Sequence, residues 1–134
     1  MEPTTPTWAE ISLSALRSNF KALQKLARGS EVLPVVKANA YGHGSVQVAR
    51  ALVGAGAKFL AVAFVEEGIV LRQGGIRVPI LVLTPTFPAE LPSLLKNKLI
   101  PQVSSLAGAR VVSQAAQKMG LAKVGVHVKL DTGM

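Results

Sequence analysis

The most reactive prospect in the sequence is a single lysine that enters a glycine-containing turn from an apolar run, in Val35-Val36-Lys37-Ala38-Asn39-Ala40-Tyr41-Gly42-His43-Gly44. The apolar run predicts a strand over 32–36, which puts Lys37 at the strand's C-terminal end. Apolar surroundings disfavour an ammonium ion, lower a lysine's pKa and free the neutral amine as a nucleophile. Such an amine can form a Schiff base with an aldehyde cofactor. Tyr41, four residues on, is close enough to reach a group held near Lys37, and its hydroxyl can hydrogen-bond a phosphate. Gly42 and Gly44 allow turns and close backbone approaches that other residues resist. Residue types alone leave the segment open. A lysine at a strand end is more often a solvated surface residue, Tyr41 more often a packed ring, and His43 reads as an exposed loop residue with no chemical role. No Gly-x-Gly-x-x-Gly fingerprint or P-loop occurs, so nothing supports nucleotide binding.

The elements that must position Lys37 follow an alternating pattern. Ser12 is a plausible N-cap for a first helix, with Leu13, Leu16, Phe20 and Leu23 on one face and a stop near Arg28-Gly29. Further helices are expected over 45–54, 66–72, 89–96 and 106–119. Strands are expected over 32–36, 59–63, 78–83, 99–103 and 124–130. Glu66 and Glu67 fall in the first turn of their helix, where acidic residues suit the helix dipole. Five strands that are nearly continuous in apolar residues need cover on both faces, as in parallel sheets built of βαβ units. Right-handed crossovers curl such units into either an open doubly wound sheet or part of a (β/α)8 barrel, and periodicity does not choose between them. A complete barrel takes ~250 residues, so 134 residues hold little more than half of one. The last residues, Asp131-Thr132-Gly133-Met134, follow directly on a strand, where a loop and helix are expected next.

Composition narrows the function class. With 49% apolar residues the chain can bury a core, and with no cysteine it has no disulfide, thiolate metal site or cysteine nucleophile. The net charge of +8 comes from scattered lysines and arginines with few aromatics, a pattern of solvated helix faces rather than a nucleic-acid surface. No run approaches the ~18 apolar residues of a membrane span, and the opening residues lack the pattern of a signal peptide. A soluble cytoplasmic protein is the expectation.

The lysine segment Val36-Lys37-Ala38-Asn39-Ala40-Tyr41-Gly42-His43-Gly44 closely resembles the cofactor-lysine segment of bacterial alanine racemases. Trp8-Ala9-Glu10-Ile11, with Leu13 and Leu16, resembles that family's opening, and Val128-Lys129-Leu130-Asp131-Thr132-Gly133-Met134 resembles its later lysine-aspartate-threonine-glycine-methionine segment. The resemblance implies a (β/α)8 barrel with an added β domain. Residues 1–134 would be the N-terminal segment of its pyridoxal-phosphate-binding barrel, with the barrel's second half and the C-terminal β domain absent. It also implies interconversion of L- and D-alanine, which supplies D-alanine for peptidoglycan, by a homodimer. Lys37 would bind pyridoxal 5'-phosphate and act as one of two acid/base groups. Tyr41 would contact the phosphate and Leu83 would pack near the ring. Lys129 matches a lysine often carbamylated in the family; the alternative for it is a simple ion pair, for instance with Asp131. By the resemblance, the second base would be a tyrosine of the partner subunit in a region this sequence does not contain, so the chain alone is expected to be inactive. Other readings are a non-catalytic pyridoxal-phosphate-binding barrel, a racemase of broader specificity, and a truncation product without a function of its own.

Overall fold

The computed structural model describes residues 7–133. Helix α1 (Leu13–Leu26) starts where Ser12 Oγ accepts the Ala15 N–H at 3.2 Å, the capping bond expected of that residue. Its inward face carries Phe20, which is buried, with Leu13 and Leu16 partly buried against the core. Leu23, on the same face, is 54% exposed. It lines an apolar groove of about 600 Å³ between α1 and the Lys37 segment, together with Leu33 and Val35.

Four strands follow in order: β1 (Leu60–Val62), β2 (Ile80–Val82), β3 (Ile100–Val103) and β4 (His127–Val128). Between and before them run α2 (Ser45–Gly54), α3 (Val65–Gln73), α4 (Leu91–Lys96) and α5 (Leu106–Lys118). All pairings are parallel, with Leu60 opposite Ile80, Leu81 opposite Ile100 and Gln102 opposite His127. The spatial order is β1-β2-β3-β4, so each new strand adds to the same side of the sheet. A doubly wound sheet reverses direction at a switch point, and these strands do not. With right-handed crossovers, this order is the arc of a (β/α)8 barrel.

All five strands are shorter than the sequence pattern suggests, the first and the last most of all. The first is a single parallel bridge, Val35 to Ala61, held by Val36 N–H to Ala61 C=O at 2.8 Å and Ala61 N–H to Pro34 C=O at 2.9 Å. The last contracts from 124–130 to the two exposed residues of β4, whose strand neighbour is β3 alone. In the middle of the sheet β1 and β2 are buried at every position, as strands covered on both faces must be. Alternate residues Leu60, Val62, Ile80 and Val82 join Val48, Leu52, Leu71 and Leu94 of the helices in one core. Among the described residues no helix is long and apolar enough to cross a membrane.

At the N-terminal ends of the strands Arg72 acts as a pin. Its guanidinium donates to the carbonyls of Ile76 and Val78, just before β2, and of Asn97 and Lys98, just before β3, at 2.8–3.0 Å. The candidate chemistry lies at the other end.

Candidate functional site

Leu83 and Lys129 directly follow β2 and β4, and Lys37 follows Val36, whose N–H bonds Ala61 C=O next to the Val35–Ala61 bridge. They therefore share the C-terminal rim, where barrels of this kind assemble their sites. Lys37 leaves the sheet beside buried Val36, and its Nζ lies 6.0 Å from the centre of the Tyr41 ring. Leu83 is half-buried one strand beyond β1, and its N–H donates to Val62 C=O at 2.9 Å. Lys129 is exposed at the far end of the arc, its N–H donating to Val103 C=O at 2.8 Å. Lys37 and Tyr41 are thus brought together, while Lys129 stands at the opposite end of the sheet. The described residues contain no Lys129–Asp131 ion pair; Asp131 Oδ1 accepts the Gly133 N–H instead.

The backbone between Lys37 and Tyr41 is unusual in a way the sequence reading misses. Ala38, Asn39, Ala40 and Tyr41 all have positive φ, between 50° and 55°, and make one turn of left-handed helix. For L-residues this costs roughly 1–2 kcal/mol each, so surrounding bonds must hold it. Gly42, with φ 85°, closes the turn by donating its N–H to Ala38 C=O. Asn39 Oδ1 accepts the Ser45 N–H at 2.8 Å and so caps α2 from inside the turn. His43, expected to be idle, donates from Nδ1 to the carbonyls of Ala40 and Tyr41 at 2.8 and 3.1 Å. A carbonyl only accepts, which fixes the proton on Nδ1.

The carboxylate of Glu67 supplies the remaining hold. It accepts the Ala38 N–H at 2.6 Å and also the N–H groups of Ala63 and Phe64, at 2.8 and 3.1 Å. Its position in the first turn of α3 was the available signal, but that signal points only to the helix dipole.

Among the described residues neither the Lys37 amine nor the Tyr41 hydroxyl has a hydrogen-bond or ion-pair partner, although Lys37 is half-buried. An unengaged amine beside a phenol is a donor set that fits an aldehyde-bearing, phosphorylated cofactor: the amine for the aldehyde, the hydroxyl for the phosphate.

Parallel β/α units in barrel order, with an unpaired lysine on the strand-end rim, define the N-terminal arc of a lysine-bearing (β/α)8 protein. The family model described as alanine racemase, N-terminal domain, matches residues 11–134. The chain belongs to the alanine racemase family. It is 44% identical over 129 residues to an alanine racemase of Carboxydothermus hydrogenoformans and 47% identical over 129 residues to one of Syntrophobacter fumaroxidans. These alignments cover 96% of this chain and 35% and 34% of those proteins. Among solved structures, an alanine racemase of Clostridium difficile 630 in complex with cycloserine superposes with a TM-score of 0.92 at 43% identity, over 99% of this chain and 36% of that one. The chain therefore spans about a third of the length of the relatives it matches.

Proposed function

We propose that residues 1–134 carry the cofactor lysine of a pyridoxal-phosphate-dependent alanine racemase, with the rest of the barrel and a C-terminal β domain outside these residues. The observation that carries this reading is the free Lys37 amine beside Tyr41, on a rim built by a strained turn. Lys37 would hold pyridoxal phosphate, Tyr41 would hydrogen-bond its phosphate, and Leu83 would pack near its ring. Lys129 would be a site of carbamylation. When bound, pyridoxal phosphate would supply an electron sink for the pair left at the substrate Cα after proton loss. Lys37 is then the group of this chain that takes or returns a proton on one face of that carbon.

Inversion at Cα needs a second group on the opposite face. The resemblance to alanine racemases makes the second base a tyrosine of the partner subunit of a homodimer, and Tyr41, the sole tyrosine of the sequence, is assigned to the phosphate, so that base lies outside residues 1–134. The same reading puts the enzyme in the cytoplasm. Residues 1–134 alone should not racemise alanine at enzymatic rates.

The test is a visible-absorbance titration of the chain with pyridoxal phosphate beside Lys37→Ala, followed by an alanine racemisation assay. A saturable band lost in Lys37→Ala is expected, with no racemisation above the Lys37→Ala control. A folded chain without a Lys37-dependent band would overturn the reading that residues 1–134 hold the cofactor by themselves, and would mean that binding needs the rest of the barrel. Lys37-dependent racemisation would overturn the assignment of the second base.

A further inference from the structure

We propose that Glu67 is a positioning residue for Lys37: its carboxylate clamps the peptide that follows the lysine and so fixes how the amine leaves the sheet. This rests on the reading of Lys37 as the cofactor lysine. Glu67 occupies the third position of α3, and its bonds to the N–H groups of Ala63 and Phe64 tie off the junction between β1 and that helix. Reaching back to the N-cap peptide is ordinary for a glutamate at this position. The bond to Ala38 is not, because it spans 29 residues and joins two different β/α units.

Geometry gives that bond its consequence. The peptide group is planar, so the Ala38 N–H and the Lys37 carbonyl share one rigid plane. Fixing that N–H fixes the backbone torsion of Lys37 on its carbonyl side. Ala38 is exposed and is the first left-handed residue of the turn, so without this bond only the backbone bonds of the turn would oppose a return to an ordinary right-handed or extended path. Backbone bonds also hold the turn, Ala40 N–H to Val36 C=O and Gly42 N–H to Ala38 C=O, each at 3.0 Å, while the side-chain bonds from Asn39 and His43 stay within residues 39–45. Of the side chains that hold it, Glu67 alone anchors the turn to the body of the sheet. A short bond from an N–H to a carboxylate is charge-assisted and stronger than a neutral one.

The chemistry of the site also demands a carboxylate. Three N–H donors converge on two oxygens. A glutamine at this position would offer one oxygen and an NH₂ group facing donors, so at least one of the three bonds is lost with no change in side-chain size.

The experiment compares the full chain with Glu67→Gln by backbone NMR and by the same absorbance titration with pyridoxal phosphate. With the far-UV circular dichroism unchanged, the variant should lose the slow amide exchange of Ala38 and the Cα and Cβ shifts of left-handed residues over 38–41. The pyridoxal phosphate concentration at half-saturation should rise about tenfold, the scale of one hydrogen bond to a charged group. Retention of the left-handed shifts and of the wild-type half-saturation would overturn the proposal. A wild-type chain with no Lys37-dependent band removes the reading that these residues hold the cofactor by themselves; the NMR comparison then decides the clamp, loss of the shifts supporting it and retention overturning it. If Glu67→Gln does not fold, amide exchange in the wild type decides: a protected Ala38 N–H supports the clamp, and exchange at a free-peptide rate overturns it.

Discussion

The rings of Phe59 and His127 meet at 5.5 Å between centroids and 46° between planes, although β2 and β3 lie between them. Phe59 directly precedes β1 and His127 opens β4. In a flat sheet the first and fourth strands would be about 14 Å apart, so this contact measures how far the arc has curled. A tilted aromatic pair contributes roughly 0.5–1.5 kcal/mol beyond area burial, and the exposure of His127 puts this one at the low end. A double-mutant cycle of Phe59→Ala and His127→Ala in urea unfolding should give a coupling of about 0.5 kcal/mol. Additive effects would mean that the two ends of the arc do not touch in solution.

Arg72 is the corresponding fixture on the opposite rim, where its four carbonyl partners belong to the segments entering β2 and β3. Burial, and after it repulsion from Arg77, lower its pKa below the ordinary arginine value. A base with a depressed folded-state pKa makes the charged fold less stable until the pH rises through that strongly alkaline value. Arg72 therefore adds no slope to stability near neutral pH. A lysine cannot reproduce a planar fork with five donors. Arg72→Lys should lower unfolding stability by about 1–3 kcal/mol, the scale of a lost charged hydrogen bond, with cofactor titration unchanged because the site is on the other rim. A change of less than about 0.5 kcal/mol, the scatter of plain surface substitutions, would refute this account of Arg72.

The legible parts of the fold were those that depend on neighbours in sequence. Ser12 as a cap, Ser45–Gly54 as a helix and the run through Leu60–Val62 follow from local pattern, and the structure has each of them. The choice between barrel and doubly wound sheet depends on strand order, which periodicity does not encode. The ends of the sheet were overdrawn because an apolar run such as 124–130 reads as a strand whether or not a neighbour exists to pair with all of it. At the site, Lys37 and Tyr41 stood out by type and spacing, yet residue types alone left Lys37 as an ordinary surface lysine, and the family resemblance carried its role. The left-handed turn was hidden because its residues are mostly alanine and tyrosine, types that ordinarily avoid positive φ. Glu67 was hidden because its partner Ala38 lies 29 positions away.

The same turn makes an unusual prediction about Ala38. Alanine normally exceeds glycine in stability by roughly 0.5–1 kcal/mol, through the smaller entropy of its unfolded chain. At φ 50° and ψ 50° the preference reverses, because the Cβ crowds the following carbonyl at a cost of roughly 1–2 kcal/mol. Ala38 is exposed, so its methyl group contributes little packing that glycine would forfeit. Its N–H, the donor to Glu67, is retained in glycine. Ala38→Gly should therefore be stabilising, by up to about 1 kcal/mol after the entropy cost is subtracted. Asn39→Gly, at φ 54°, gains the same relief but loses the Oδ1 cap on Ser45. That cap is worth about 1 kcal/mol, and asparagine tolerates this conformation better than alanine does, so this variant should not gain. Urea unfolding of the two variants checks the pair. A loss of stability in Ala38→Gly matching an ordinary helical alanine would show that the left-handed turn is not the ground state of the segment that carries Lys37.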